Sequence, residues 1–152
     1  SHMGIVEKVK DAIYIIHAAP KDGVSKVTLN KFLSPNDSIS RAVSVYRLND
    51  SLKSSITTAI KKANTLIGSK YDYTYIMENK GYYCSEFIYE IFSADSIFQL
   101  SPMTFKNPNT NTFIDAWVEH YKKLGIPIPE GKPGCNPNGM ATNKNLIYVG
   151  EL

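Results

Sequence analysis

Short apolar segments with alternating or β-branched residues dominate the first third of the chain and predict β-strands. Residues 3–6 and 13–16 are two such segments, and the polar stretch at residues 7–11 between them is typical of a hairpin loop. Residues 24–28 predict a third strand after a turn rich in Pro, Asp and Gly. Residues 42–48 alternate between two faces and predict a fourth strand. We therefore expect an antiparallel sheet.

The spacing of hydrophobic residues becomes helical after residue 51. The apolar positions of this helix are Leu52, Ile56, Ala59, Ile60, Ala63, Leu66 and Ile67, and Gly68 supplies a stop. A second helix begins near Cys84 and a third spans residues 112–124. The remaining predictions are a helical turn at 29–33 capped by Thr28, a loop at 34–40, an irregular Pro- and Gly-rich surface segment at 127–138 and a strand at 146–149. No repeat or linker interrupts this pattern, which predicts one domain over residues 1–152.

Composition narrows the classes of function. A chain of 152 residues with 43% hydrophobic and 20% charged residues can bury a core of its own. The net charge of +3 comes from scattered lysines, which argues against nucleic-acid binding. No apolar stretch approaches the roughly 20 residues of a transmembrane helix. With two cysteines, three histidines and no CxxC motif, the sequence predicts neither a metal site nor a cofactor.

Cys84 is the candidate nucleophile because it opens the second helix. A helix N-terminus with a nearby imidazole can lower the pKa of a thiol from about 8.5 into the range of about 3.5 to 7.5. The structural alternative is a small buried hydrophobic residue. A single disulfide with Cys135, in the irregular segment, also stays open at this level.

Two of the histidines are placed to act on a thiol. His2 begins the first predicted strand and His17 ends the second, so an antiparallel hairpin brings both imidazoles side by side. A cysteine hydrolase needs such a base and a polar group that orients it. His120 lies in a polar helical pattern and is predicted to be a solvated helix residue.

These motifs occur in a recognisable order along the chain. Ser-His-Met-Gly-Ile-Val at residues 1–6 is followed by Tyr-Ile-Ile-His-Ala-Ala-Pro at 14–20, Gly-Val at 23–24, Tyr-Asp at 71–72 and Tyr-Tyr-Cys-Ser-Glu-Phe-Ile-Tyr at 82–89. In this order the chain resembles the permuted papain-like amidases of the NlpC superfamily, the YiiX/YebB-like group. The resemblance implies an α+β, circularly permuted papain-like (NlpC-type) fold. An antiparallel sheet or partial barrel would pack against a few helices, including the cysteine helix.

The resemblance also implies roles for individual residues. Cys84 would be the nucleophile, His2 the base and His17 the residue that orients the base, at a position where many relatives have glutamate. A second histidine there is similar to the lecithin:retinol acyltransferase branch. Tyr71, Asp72 and Tyr83 match substrate-binding positions, although a turn and packed rings would also explain them.

The resemblance leaves the substrate open between cell-wall or other peptides, small amides and acyl lipids, with a catalytically inactive binding module as the competing function. It makes the cell envelope a plausible location. Relatives commonly have a strand before the histidine, so we expect that strand of the fold to be either absent here or supplied differently. Ser-His-Met is also what cleavage of an affinity tag commonly leaves, and in that case His17 would be the base.

Overall fold

The structure is a computed structural model that describes residues 1–35, 42–77 and 79–152. It consists of α-helices and antiparallel strands. The elements are β1 (Ile5–Val9), β2 (Ala12–Ala19), β3 (Gly23–Thr28), α1 (Leu29–Leu33), β4 (Ser44–Leu48), α2 (Ser54–Thr65), α3 (Cys84–Ile91), β5 (Ser101–Pro102), α4 (Asp115–Leu124), β6 (Pro133–Gly134), α5 (Pro137–Ala141) and β7 (Leu146–Glu151). The predicted α+β class is confirmed. Most of the loop predicted at residues 34–40 lies outside the described residues.

The first sheet has the order β1-β2-β3 with antiparallel neighbours. β1 continues through the polar stretch that the sequence assigned to a loop, so the predicted loop at residues 7–11 is wrong, and the turn is formed by Lys10 and Asp11. The reason is tertiary: Glu7 forms an ion pair with Lys26 on β3 at 2.5 Å and accepts a hydrogen bond from Asn64 on α2 at 3.1 Å. Lys10 adopts a positive φ of 54° in this turn.

A second, two-stranded sheet joins distant parts of the chain. β4 pairs with β7 in antiparallel register from Ser44 opposite Glu151 to Leu48 opposite Leu146. The rings of Tyr46 and Tyr148 meet across this pair with centroids 5.5 Å apart. Both strands were predicted, but the pairing of residues about 100 positions apart is a tertiary result.

The core lies between β2, α2 and α3. β2 contributes Ile16 and Ala18 to it, and both side chains are completely buried. Ala59 and Ala63 on α2 are small, which lets α3 approach this helix closely. The apolar face of α3 consists of Phe87, Ile88 and Ile91, which are all buried. This packing places the start of α3 beside the first sheet.

The segment predicted to wrap the surface at residues 127–138 is partly an interior segment. β6 pairs with β5, and α5 starts at Pro137 after Asn136 caps it by accepting a hydrogen bond from the Gly139 N–H at 2.8 Å. Cys135, just before that cap, is only 5% exposed. The Pro and Gly content correctly indicated an irregular backbone, but it carried no information about how much of the segment is buried.

Candidate active site

Cys84 is the first residue of α3. Tyr83 precedes it as the N-cap in an extended conformation. Glu86, in the first turn, accepts a hydrogen bond from the Tyr83 N–H at 3.2 Å, as an acidic residue at this position commonly does. The Tyr-Cys-Ser-Glu run therefore forms the helix start that the sequence predicted, with the thiol at the end where the helix dipole is positive.

Burial dominates the electrostatics of Cys84. The side chain is 8% exposed, and burial raises the pKa of the thiol above its usual value. The backbone N–H groups of Met3 and Ser85 lower the pKa, but by less than burial raises it. The prediction of a lowered pKa is therefore not met in this structure, because desolvation of a thiolate outweighs the helix N-terminus. The thiol is protonated at neutral pH and needs a base.

His2 and His17 form the pair that could supply that base. His2 Nε2 and His17 Nδ1 are 2.7 Å apart, a hydrogen bond whose direction depends on the tautomers. The register that places Ile5 opposite Ile16 makes the two histidines diagonal neighbours on one face of the sheet. The predicted contact between the ends of β1 and β2 is present.

Gly4 makes room for this pair. It lies opposite His17 in the register, and a Cβ built on it would be 3.1 Å from the His17 Cβ and 2.6 Å from Ile15 Cγ2. Both distances are shorter than ordinary van der Waals contact. A side chain at position 4 would displace the strand or His17, so the glycine of the His-Met-Gly motif has a steric explanation.

Phe32 of α1 covers both imidazoles. Its ring is stacked with His2 at a centroid distance of 5.7 Å and meets His17 edge-on at 5.3 Å. Burial lowers the pKa of His17 below 6.5, although the charge of Asp22 opposes part of this effect. A neutral imidazole at neutral pH can accept a hydrogen bond from its neighbour. No sequence pattern indicated this contact of Phe32, because it depends on how α1 packs against β2 and β3.

The residues just before β1 lie near the start of α3. The Met3 N–H acts on the Cys84 sulfur and opposes part of the rise in the pKa of the thiol. His2 is adjacent to Met3 in the chain. The residues predicted for catalysis therefore lie just before β1, on β2 and at the start of α3.

Tyr71 lies in the loop that precedes α3. Its hydroxyl is 3.4 Å from that of Tyr75, and its ring is half-buried. Burial raises the pKa of Tyr71, and the hydrogen bond with Tyr75 adds to the rise, so the phenol is neutral. Gly81 packs closely against the backbone that leads to Tyr71, because a Cβ on Gly81 would lie 2.7 Å from the Lys70 carbonyl oxygen.

Asp72 is engaged within its own loop. One carboxylate oxygen accepts hydrogen bonds from the Thr74 N–H at 2.7 Å and from the Thr74 hydroxyl at 2.6 Å. The Ile76 N–H at 3.2 Å and the Asn79 side chain at 3.2 Å are further donors to this carboxylate. With 5% of its surface exposed, Asp72 is placed where it orders the backbone that carries Tyr71.

Tyr83 connects α3 to the segment that contains Cys135. Its side chain is 2% exposed, and its hydroxyl accepts a hydrogen bond from the Cys135 N–H at 3.3 Å. The neighbouring Ser85 hydroxyl donates to the Cys135 carbonyl at 3.0 Å. Both cysteines are free, so the disulfide alternative does not describe this structure.

The helix α4 supports residues 71–77, the tyrosine loop, through hydrogen bonds and aromatic contacts. His120 Nε2 is 2.7 Å from the Tyr73 carbonyl oxygen, and the Tyr121 hydroxyl donates to the Thr74 carbonyl at 2.8 Å. Trp117 meets Tyr75 edge-on at 5.2 Å. The prediction that His120 is a solvated helix residue is therefore wrong, because the loop folds over this face of α4.

Glu86 is a buried acid that sequence analysis did not single out. It is 3% exposed, and burial raises its pKa to about 8, with further contributions from Asp72 and Glu90. Its position three residues after the helix N-cap was the available signal.

The chain shares its sequence pattern and its fold with known proteins. Residues 1–150 match the family described as permuted papain-like amidase enzymes, YaeF/YiiX. A solved structure described as metalloprotein yiiX from Escherichia coli O157:H7 is similar with a TM-score of 0.79 and 18% identity, over 100% of this chain and 83% of that one. No curated protein matches the chain at a significant level.

Two further observations concern metals and membranes. Within residues 1–35, 42–77 and 79–152, no three His, Cys, Asp or Glu side chains are grouped as metal ligands would be. In the same ranges, no helix combines the length and the apolar character needed to cross a bilayer.

Proposed function

The chain belongs to the permuted papain-like amidase family of YaeF and YiiX, and we propose that it hydrolyses amide bonds through Cys84, His2 and His17. Family membership supports a cysteine hydrolase. The observation that carries the residue assignment is the 2.7 Å hydrogen bond between the two histidines, since His2 is adjacent to Met3, whose N–H lowers the pKa of the Cys84 thiol.

In the proposed mechanism His2 removes the proton from the Cys84 thiol. In this mechanism Nδ1 of His2 takes the proton while Nε2 keeps its hydrogen bond with His17. The thiolate attacks the substrate carbonyl carbon, and the backbone N–H groups at the start of α3 are suited to stabilise the oxyanion. His2 then protonates the leaving amine, which leaves an acyl-enzyme on Cys84.

The second half of the cycle uses the same residues. His2 removes a proton from water, the hydroxide attacks the thioester, and the acid product leaves as Cys84 regains its proton. His17 orients His2 and accepts its Nε2–H, which stabilises the imidazolium in both halves. The lowered pKa of His17 supports this role because a neutral imidazole retains an acceptor nitrogen.

We assign Tyr71 to the wall of the substrate pocket. Its half-buried ring near Cys84 supports direct contact with the acyl part of a substrate. Asp72 and Tyr83 were predicted as substrate-binding residues as well. Their buried, internally hydrogen-bonded side chains instead favour positioning roles, Asp72 for the tyrosine loop and Tyr83 for the start of α3. Peptide amides, including cell-wall peptides, are the first substrates to examine.

A lipid acyl hydrolase or acyltransferase is the second candidate. The observation that favours it is the histidine at position 17, which is similar to the lecithin:retinol acyltransferase branch. Thioester chemistry at Cys84 would be the same, and the acyl donor would differ. A binding module without catalysis is the competing outcome.

The decisive experiment measures turnover by the purified protein. Peptidyl 7-amido-4-methylcoumarins test amide cleavage, and p-nitrophenyl esters from acetate to palmitate test acyl-chain preference. We expect activity that is abolished in Cys84→Ala and in His2→Ala but retained in Cys135→Ala, which is the matched cysteine control. Amide turnover supports the proposal, turnover of long-chain esters alone supports the second candidate, and wild-type turnover equal to that of Cys84→Ala supports the binding module.

A further inference from the structure

Glu86 carries a buried carboxyl group that the proposed mechanism does not use. It lies in the first turn of α3, and only 3% of its surface is exposed. None of the ion pairs within residues 1–35, 42–77 and 79–152 includes it. A buried acid without a basic partner is unfavourable unless hydrogen bonds compensate for the lost water. The burial of this carboxyl group therefore depends on its hydrogen bonding.

The recorded hydrogen bond of this carboxyl group reaches the backbone at the start of the helix. The Tyr83 N–H donates to Glu86 Oε2 at 3.2 Å, and the Tyr83 carbonyl accepts from the Phe87 N–H at 2.9 Å. The Tyr83 hydroxyl is engaged elsewhere, because it accepts from the Cys135 N–H at 3.3 Å. Glu86 thus fixes the peptide group that precedes the nucleophile from within the first turn of α3.

The next two N–H groups along the chain act on the thiol. Those of Cys84 and Ser85 both lower the pKa of the thiol, against the larger effect of burial. The first N–H groups of a helix have no carbonyl partner within it, so they are available to a thiolate or an oxyanion. Their directions follow from the backbone conformation at the N-cap. A change in the backbone at Tyr83 would therefore misdirect both groups.

The surroundings of Glu86 keep its carboxyl group neutral. Burial raises its pKa to about 8, and the charges of Asp72 and Glu90 add to the rise. The titratable groups that interact with it are acidic: Asp72 of the tyrosine loop, Glu90 of α3, Tyr82, Tyr83 and Cys135. A neutral acid accepts the hydrogen bond without adding a negative charge to the helix start where a thiolate and an oxyanion would form.

We propose that Glu86 is a positioning residue of the hydrolase, whose neutral carboxyl group holds the Tyr83 N–H and thereby aims the N–H groups of Cys84 and Ser85 at the thiolate and the oxyanion. It acts through the backbone rather than on the substrate. The role at the oxyanion rests on the proposed function, because that charge forms only when Cys84 attacks a carbonyl carbon. The role at the thiolate does not require turnover.

Two substitutions separate the hydrogen bond from the volume of the side chain. Glu86→Gln retains a neutral side chain with a carbonyl oxygen that can accept from the Tyr83 N–H. Glu86→Met has a similar length but offers no comparable acceptor. Glu119→Met changes an exposed glutamate of α4 and is the matched control. Circular dichroism and urea denaturation establish that each protein is folded.

Steady-state hydrolysis of p-nitrophenyl acetate at pH 7 is the first measurement. Glu86→Met should lower kcat at least about tenfold, equivalent to about 1.4 kcal/mol, with KM within about twofold of wild type. Glu86→Gln should recover most of the rate, and Glu119→Met should match wild type. A residue that only supports the fold would not give this separation of kcat from KM in folded protein.

The pH dependence provides a second measurement. Between pH 7 and 9 the wild-type carboxyl group loses its proton, and the resulting charge opposes formation of the thiolate and the oxyanion. Glutamine cannot ionise in this range. The ratio of the Glu86→Gln rate to the wild-type rate should therefore rise at least about twofold from pH 7 to pH 9.

Alkylation of Cys84 by iodoacetamide at pH 7, followed by peptide mass spectrometry, is independent of turnover. Glu86→Met should slow it at least about threefold, because the N–H groups that stabilise the thiolate lose their alignment. If wild type shows no turnover above Cys84→Ala, the proposed function fails, and the alkylation rates alone decide the role of Glu86.

Three outcomes would overturn the proposal. One is a folded Glu86→Met protein with wild-type turnover and alkylation. Another is a Glu86→Gln protein as slow as Glu86→Met, which would show that a neutral acceptor is not what the site requires. The third is a rate ratio that does not change with pH. Should Glu86→Met not fold, a tenfold loss of kcat or a threefold loss of alkylation rate in folded Glu86→Gln has the same meaning.

Discussion

Substituting His17 by alanine separates the orienting role from the base itself. In wild type the imidazole of His17 is 2.7 Å from His2 Nε2, and alanine removes this hydrogen bond without altering β1 or α3. The bond gains a charged partner only when His2 becomes an imidazolium, and a hydrogen bond to a charged group contributes about 1.5–3 kcal/mol. At about 1.4 kcal/mol per tenfold change, kcat/KM should fall by about 10- to 150-fold.

The assay is hydrolysis of p-nitrophenyl acetate, in which the release of p-nitrophenol reports acylation of Cys84. His17→Gln supplies a carbonyl acceptor and should recover part of the rate. Lys123→Ala removes an exposed side chain of α4 and should leave acylation within about twofold of wild type. Circular dichroism confirms that each variant is folded. A His17→Ala rate within about twofold of wild type, in a folded protein, would refute the orienting role.

Three further predictions concern packing and protonation. Gly4→Ala places a Cβ 3.1 Å from the Cβ of His17 and should cost about 1–3 kcal/mol of unfolding free energy, measured by urea denaturation, with a parallel loss of acylation rate. The pKa of Glu86 is raised to about 8, so the unfolded chain loses this proton near pH 4.5 while the folded chain keeps it. Thermal stability should therefore fall as pH rises from about 4.5 to 8, and Glu86→Gln should weaken that dependence. Burial raises the pKa of both thiols, that of Cys135 to about 11, but only Cys84 lies at the N-terminus of a helix, so iodoacetamide should label Cys84 at lower pH, as measured by peptide mass spectrometry.

Controls for these predictions are available in the same chain. Glu119→Gln changes an exposed carboxylate on α4 and should leave the pH dependence of stability unaltered. Identical pH dependence in Glu86→Gln and wild type would contradict the raised pKa. Labelling of Cys135 ahead of Cys84 would contradict the effect of the helix N-terminus, and an unaltered Gly4→Ala protein would contradict the steric explanation of Gly4.

Local sequence was sufficient for most elements of the fold. The helical spacing after residue 51 predicted α2, although the helix itself is shorter, at Ser54–Thr65. The start of α3 at Cys84 was predicted because its capping residues are adjacent in sequence. The end of β1 was predicted too early. The partners of Glu7 lie on β3 and α2, so no pattern of neighbouring residues could indicate that the strand continues.

The candidate site likewise combines features that the sequence predicted with features that it did not. The hairpin register follows from two adjacent strands and a short turn, so the contact between His2 and His17 could be predicted from their positions. The environment of Cys84 could not, since its pKa depends on how deeply α3 packs against β2 and α2. Likewise, Asp72 matched a binding motif in sequence, but its hydrogen bonds are made within the loop.

The sequence alone therefore predicted the class of fold, most of the elements and the contact between His2 and His17. These depend on periodicity, capping and adjacent strands, which are local properties. Only the tertiary structure decided the burial of Cys84, the cover supplied by Phe32 and the support from α4. Each of these results from packing between residues far apart in the chain, where burial is set by the whole fold.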